Sequence, residues 1–114
     1  MEPVFLGDFA NQEDVESNFG YTLIGGEKIL LAHYDNGGYD GYAFVLYEHN
    51  GKLFEVSDSH CSCNGLEGLW EPEAVTAQAL RKRMMVGNFD LGGDIGQLTT
   101  VLDKWETSND RSIH

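Results

Sequence analysis

The chain has little positive charge, few prolines and cysteines, and no long apolar run. Seven Lys and Arg stand against nineteen Asp and Glu in 114 residues, a formal net charge of −12. A chain this acidic repels phosphate unless it segregates a strong basic patch, which disfavours a direct nucleic-acid binder. No apolar stretch approaches the roughly 18 residues that would suggest a membrane span. No basic stretch followed by an apolar block opens the sequence, so no secretory leader and no membrane partner are expected. The two cysteines, Cys61 and Cys63, are one residue apart. That spacing argues against a disulfide framework, and with no leader visible a reducing compartment with both thiols free is expected. Repeats, low-complexity tracts and linkers are also missing. Hydrophobic residues nevertheless make up 41% of the chain, enough for a core and too many for wholesale disorder. One domain is the expectation for this length. Residues 1–105 read as a single α+β domain and residues 106–114 as a polar tail that frays.

The clearest local signal is Asn50-Gly51, placed between two apolar-rich runs at 42–49 and 52–58. A type I′ turn needs positive φ at both central positions, which Asn-Gly tolerates best. A two-residue turn sets Tyr47 opposite Phe54 and Val45 opposite Val56, with Leu46/Glu55 and Phe44/Ser57 on the other face. Residues 28–34 form a third strand, joined to the hairpin through the turn-rich segment 35–41. The Tyr47/Val45 face is the more apolar and should be covered by helices. The Phe44/Leu46 face, mixed with Glu48 and Glu55, is either partly exposed, as a contact surface would be, or covered by a loop or the N-terminal segment. Three helices are predicted. Residues 8–19 are capped by Asn11 or Asp8 and stopped by Gly20. Residues 72–86 start at Pro72 and carry Arg81, Lys82 and Arg83 in the last turns, where cations offset the helix dipole. Residues 94–105 are capped by Asp94 and carry the stripe Ile95, Leu98, Leu102 and Trp105. The expected fold is therefore a small antiparallel three-stranded sheet, built on a central Asn-Gly hairpin and packed by about three helices.

Residues 59–73, Ser-His-Cys-Ser-Cys-Asn-Gly-Leu-Glu-Gly-Leu-Trp-Glu-Pro-Glu, are the one stretch that composition does not explain. His60, Cys61 and Cys63 are competent zinc ligands, with His33, His49 or a carboxylate as a fourth. Structural zinc sites, however, usually draw on two spaced Cys pairs. A nucleophilic Cys61 or Cys63 beside a histidine is a second possibility, although the acidic surroundings raise a thiol pKa. Ser57, Asp58, Ser59 and His60 cannot form a triad by themselves, since strand neighbours alternate faces. The structural reading weighs most: cysteines as small buried hydrophobes, with Leu66, Leu69 and Trp70 tucked under the sheet. No metal, cofactor or catalytic residue is assigned, and an enzyme is not the favoured reading.

The run from Tyr39 to Leu80 resembles small proteins encoded by bacteriophages and prophages. The similarity rests chiefly on Ser59-His60-Cys61-Ser62-Cys63, Gly65-Leu66-Glu67-Gly68 and Trp70-Glu71-Pro72-Glu73. It implies an accessory phage protein acting in the bacterial host cytoplasm. As a class, small acidic phage proteins include anti-CRISPR and anti-restriction inhibitors.

The charge distribution points the same way on independent grounds. Residues 1–80 hold 14 acids and two bases; residues 81–114 hold five of each. The entire net charge therefore lies in the first 80 residues. An acidic face steers toward basic grooves, where carboxylates stand in for phosphates. The expectation is a protein-binding module, a nucleic-acid mimic that occupies the basic surface of a host nucleic-acid-binding protein such as a CRISPR effector or restriction enzyme. Its partner-binding residues would be Glu13, Asp14, Glu16, Asp35, Asp40, Glu67, Glu71 and Glu73. The alternatives are a zinc- or cysteine-dependent small enzyme using His60, Cys61 and Cys63, and a homodimeric phage accessory protein.

Overall fold

A computed structural model describes residues 2–23, 25–35, 40–61, 66–87 and 95–113; for residues 40, 59–61 and 108–113 the description covers the backbone alone. Among the described residues the fold is α+β, with five strands in one mixed sheet and three helices. In chain order these are β1 Val4–Gly7, α1 Gln12–Phe19, β2 Lys28–Asp35, β3 Asp40–His49, β4 Lys52–Cys61, β5 Glu73–Val75, α2 Ala77–Met85 and α3 Ile95–Ile113. The sheet order follows the chain, β1-β2-β3-β4-β5. β1 runs parallel to β2, with α1 as the crossover, and every other pair is antiparallel.

The hairpin forms in the register that its turn dictates. Asn50 and Gly51 have φ of 54° and 78°, and the ladder pairs His49 with Lys52, Tyr47 with Phe54, Val45 with Val56 and Ala43 with Asp58.

The expected three-stranded sheet is corrected at both edges. β1 is only four residues long and follows Pro3, too short to show a period in sequence. β5 occupies residues assigned above to a helix beginning at Pro72. That helix instead starts at Ala77, because Thr76, not Pro72, supplies the cap: the Ala79 N–H donates to Thr76 Oγ1 at 3.0 Å. The preceding residues pair with β4, Val75 opposite Leu53 and Glu73 opposite Glu55.

Both faces of the sheet are covered. On one, Ala43, Val45, Tyr47 and Val56 meet Phe9, Val15 and Phe19 from the α1 region, together with Leu66; Leu69 and Trp70 pack at the margin. On the other, Phe44, Leu46 and Leu53 meet Leu80 of α2 and Leu98, Val101 and Leu102 of α3. The centre of this second face is buried, with Phe44 and Leu46 at 0% exposure, while Tyr42 and Glu48 are half-buried and Ser57 is exposed at its margins. Its polar member Glu55 is reconciled with burial by an ion pair to Arg83 of α2. α3 keeps the stripe read from sequence and runs from Ile95 to Ile113, past residue 105, where the helix was expected to end. Arg81 ties the two helices together by bonding both Asp103 and Glu106. Asp94, the predicted cap, lies outside the described residues. Among the described residues no helix is long and apolar enough to cross a membrane.

Candidate acidic docking face

The layer over the α1 face of the sheet is built from residues 8–27 and 66–72, which contain no Lys or Arg. Their carboxylates are Asp8, Glu13, Asp14, Glu16 and Glu27 in the first segment and Glu67 and Glu71 in the second. α1 presents its acids because its apolar residues face inward. Val15 and Phe19, four apart, are buried, so Glu13 and Ser17 on the opposite side are exposed.

Several of these carboxylates are held by donors of their own chain. At the helix start, Asn11 Oδ1 accepts from the Asp14 N–H at 2.9 Å, and Asp14 Oδ2 accepts from the Ala10 N–H at 2.9 Å. Asp14 is thus the reciprocal half of the cap. Glu16 Oε2 accepts from the Leu23 N–H at 2.8 Å and from Gln12 Nε2 at 3.4 Å, tying the helix to the loop that leaves it. Glu27 accepts from the Gly25 N–H at 2.7 Å and from the Tyr21 hydroxyl at 3.0 Å.

Gly20 closes α1 in the left-handed region, φ 67°, with its N–H donating to the Glu16 carbonyl. A Cβ at this position would approach Glu67 Cγ to 3.1 Å. The glycine therefore serves both the cap and the approach of residue 67, whose neighbour Gly68 donates its N–H to the Phe19 carbonyl at 3.2 Å. Glu13, Glu16, Ser17, Gly20, Tyr21 and Thr22 line a shallow notch of about 420 Å³. Beside it, Trp70 is sandwiched between Tyr21 (centroids 5.0 Å, planes 13° apart) and Tyr47 (5.8 Å, 15°), with Phe19 edge-on at 5.2 Å. This stack gives the acidic surface a rigid floor.

The proton equilibria carry the same imprint. Partial burial opposes ionisation of Glu27. Backbone hydrogen bonds, the Tyr21 hydroxyl and nearby His49 outweigh it and hold the carboxyl below its ordinary value. The Tyr21 phenol is pushed up, first by its hydrogen bond to Glu27, then by burial and by the charge of that carboxylate.

Of the residues anticipated from sequence, Glu13, Asp14, Glu16 and Glu67 gather on or beside α1. Asp35 is exposed at the far end of β2, and Asp40 begins β3 at the same end of the sheet. Glu71 is exposed just before β5. Glu73 sits opposite Glu55, so it projects toward the α2/α3 side, away from the α1 layer. Glu27 was not anticipated. It follows a Gly25-Gly26 turn rather than lying in an acid run, and only its contact with Tyr21 reveals it. His60 and Cys61 occupy adjacent positions at the end of β4, while Cys63 lies outside the described residues. Among the described residues no group of three His, Cys, Asp or Glu is arranged to hold a metal ion.

Compared with protein-family models, with curated proteins and with solved structures, the chain finds no match.

Proposed function

We propose that this protein is an acidic protein-binding module whose α1 face docks on the basic nucleic-acid-binding surface of another protein and excludes nucleic acid from it. The reading is supported chiefly by the segregation of charge. The α1 layer carries carboxylates and no base, whereas two of the cations of α2, Arg81 and Arg83, are spent on internal pairs. A cationic groove offers Lys and Arg donors to phosphate oxygens. Carboxylates already held in place meet the same donors at little further ordering cost. The phage resemblance makes a counter-defence inhibitor, acting on a CRISPR effector or a restriction enzyme in the bacterial cytoplasm, the form this activity takes.

The test is inhibition of nucleic-acid cleavage by a panel of such enzymes across a range of salt. Inhibition should compete with nucleic acid, weaken steeply with ionic strength, and be lost in Glu13→Lys/Glu67→Lys, two exposed positions whose reversal leaves the fold intact. Inhibition that is flat in salt, or that survives the double reversal, overturns the proposal.

A further inference from the structure

The sheet ends at β5 with an edge that no strand among the described residues covers, since β5 is last in the sheet order. Beneath that edge, on the side away from α1, opens a cleft of about 590 Å³ lined in part by Lys52, Leu53, Val75, Ala77, Ala79 and Trp105. Ala77 and Ala79 leave the space, Trp105 walls it, and Lys52 stands at the Val75 end, away from Glu73. The Trp105 indole is fixed by donating Nε1–H to Glu48 at 2.9 Å. β5, with Glu73 and Ala74 exposed, is thus the last strand of the sheet among the described residues and has a largely apolar cleft beside it, the arrangement that strand addition uses.

The register specifies what would fit. Val75 and Glu73 face the cleft side, paired with Leu53 and Glu55; Ala74, paired with Phe54, faces the other. A strand laid along β5 therefore places alternate residues over the cleft, with an apolar side chain beside Val75 and a cation two residues away beside the exposed Glu73. Glu71, two residues before Glu73 and also exposed, favours a further cation. A second copy of this chain would bring Glu73 and a net charge of −12 against their like, so charge complementarity selects a basic partner.

We infer that the β5 edge is a docking site for one extended segment of a partner protein, in which Lys or Arg alternates with a branched apolar residue, and that this segment adds to the sheet as a sixth strand. The site is separate from the α1 face and does not depend on its function.

The probe is a short capped peptide alternating lysine and valine, titrated into the isotope-labelled full chain and followed by amide shifts. Shifts should centre on Leu53, Glu73, Ala74, Val75 and Ala79. Ala79→Trp, which fills the cleft from an exposed position, and Glu73→Lys should each weaken binding about tenfold without moving the thermal melt. A peptide of the same charge interrupted by proline should not bind. Three results overturn the inference: shifts centred on Glu13 and Glu16, equal binding by the proline peptide, or no binding at about 1 mM. Sedimentation showing a dimer that Ala79→Trp dissolves would assign the edge to a second copy and overturn it as well.

Discussion

The two layers that sandwich the sheet treat charge in opposite ways. Over the α2/α3 face, Arg81 bridges Asp103 and Glu106 at 2.6 and 2.7 Å, and Arg83 reaches down to the buried Glu55. Charge there fastens helix to helix and helix to sheet. The segments that cover the α1 face, residues 8–27 and 66–72, contain no Lys or Arg, and backbone N–H groups, a glutamine amide and a tyrosine hydroxyl orient their carboxylates instead. One layer uses charge to close itself; the other keeps it available. A hydrogen bond orients a carboxylate without neutralising it, which is how a small domain keeps a dense negative surface and a fixed geometry at once.

The comparison breaks most violently at the core of the α2/α3 layer. Leu102 is fully buried, so Leu102→Asp places an unpaired charge among Phe44, Leu46 and Leu98. The variant should be unfolded at room temperature by far-ultraviolet circular dichroism.

A smaller loss is expected at the ion pair. Arg83→Met leaves Glu55 without the cation that answers its buried carboxylate, whose second oxygen already lacks a hydrogen-bond partner. The cost should be about 2 kcal/mol in urea unfolding, less than for a wholly buried pair because the arginine is partly exposed. Adding Glu55→Leu should recover most of it. No recovery would mean that the pair does more than satisfy itself.

The gentlest probe is pH, and it reports on the α1 layer. Glu27 has a lowered pKa, so its contribution to stability is present above the ordinary carboxylate value of 4.5 and is lost as pH falls through the depressed value in the fold. Tyr21 has a raised pKa, so its contribution is present below the ordinary phenol value of 10.0 and is lost as pH rises through the elevated value. Glu27→Gln should return the Tyr21 titration, read by tyrosinate absorbance, toward 10.0. Tyr34 and Tyr47 are also raised, both chiefly by burial. Tyr34 should therefore remain high in the variant, while Tyr47, which also feels Glu27, should move slightly.

How much of this was readable beforehand follows the range of the interaction. The Asn50-Gly51 turn, the Asn11 and Gly20 caps and the Leu98/Leu102 stripe involve residues within four positions of one another, and each formed where its pattern stood. The skew of charge toward the first 80 residues is a matter of counting. β1 and β5 escaped because their few residues have no strand signature of their own; they exist because β2 and β4 offer them edges. The anticipated acidic ridge was assembled in part: α1 and Glu67 came together through Gly20, while Glu73 was carried across the sheet by its pairing with Glu55. Short-range sterics and hydrogen bonding write the turn, the caps and the stripe directly into neighbouring residues. Which sheet face each helix covers, and hence which carboxylates share a surface, depends on burial between segments tens of residues apart, and that is settled only when the whole chain packs.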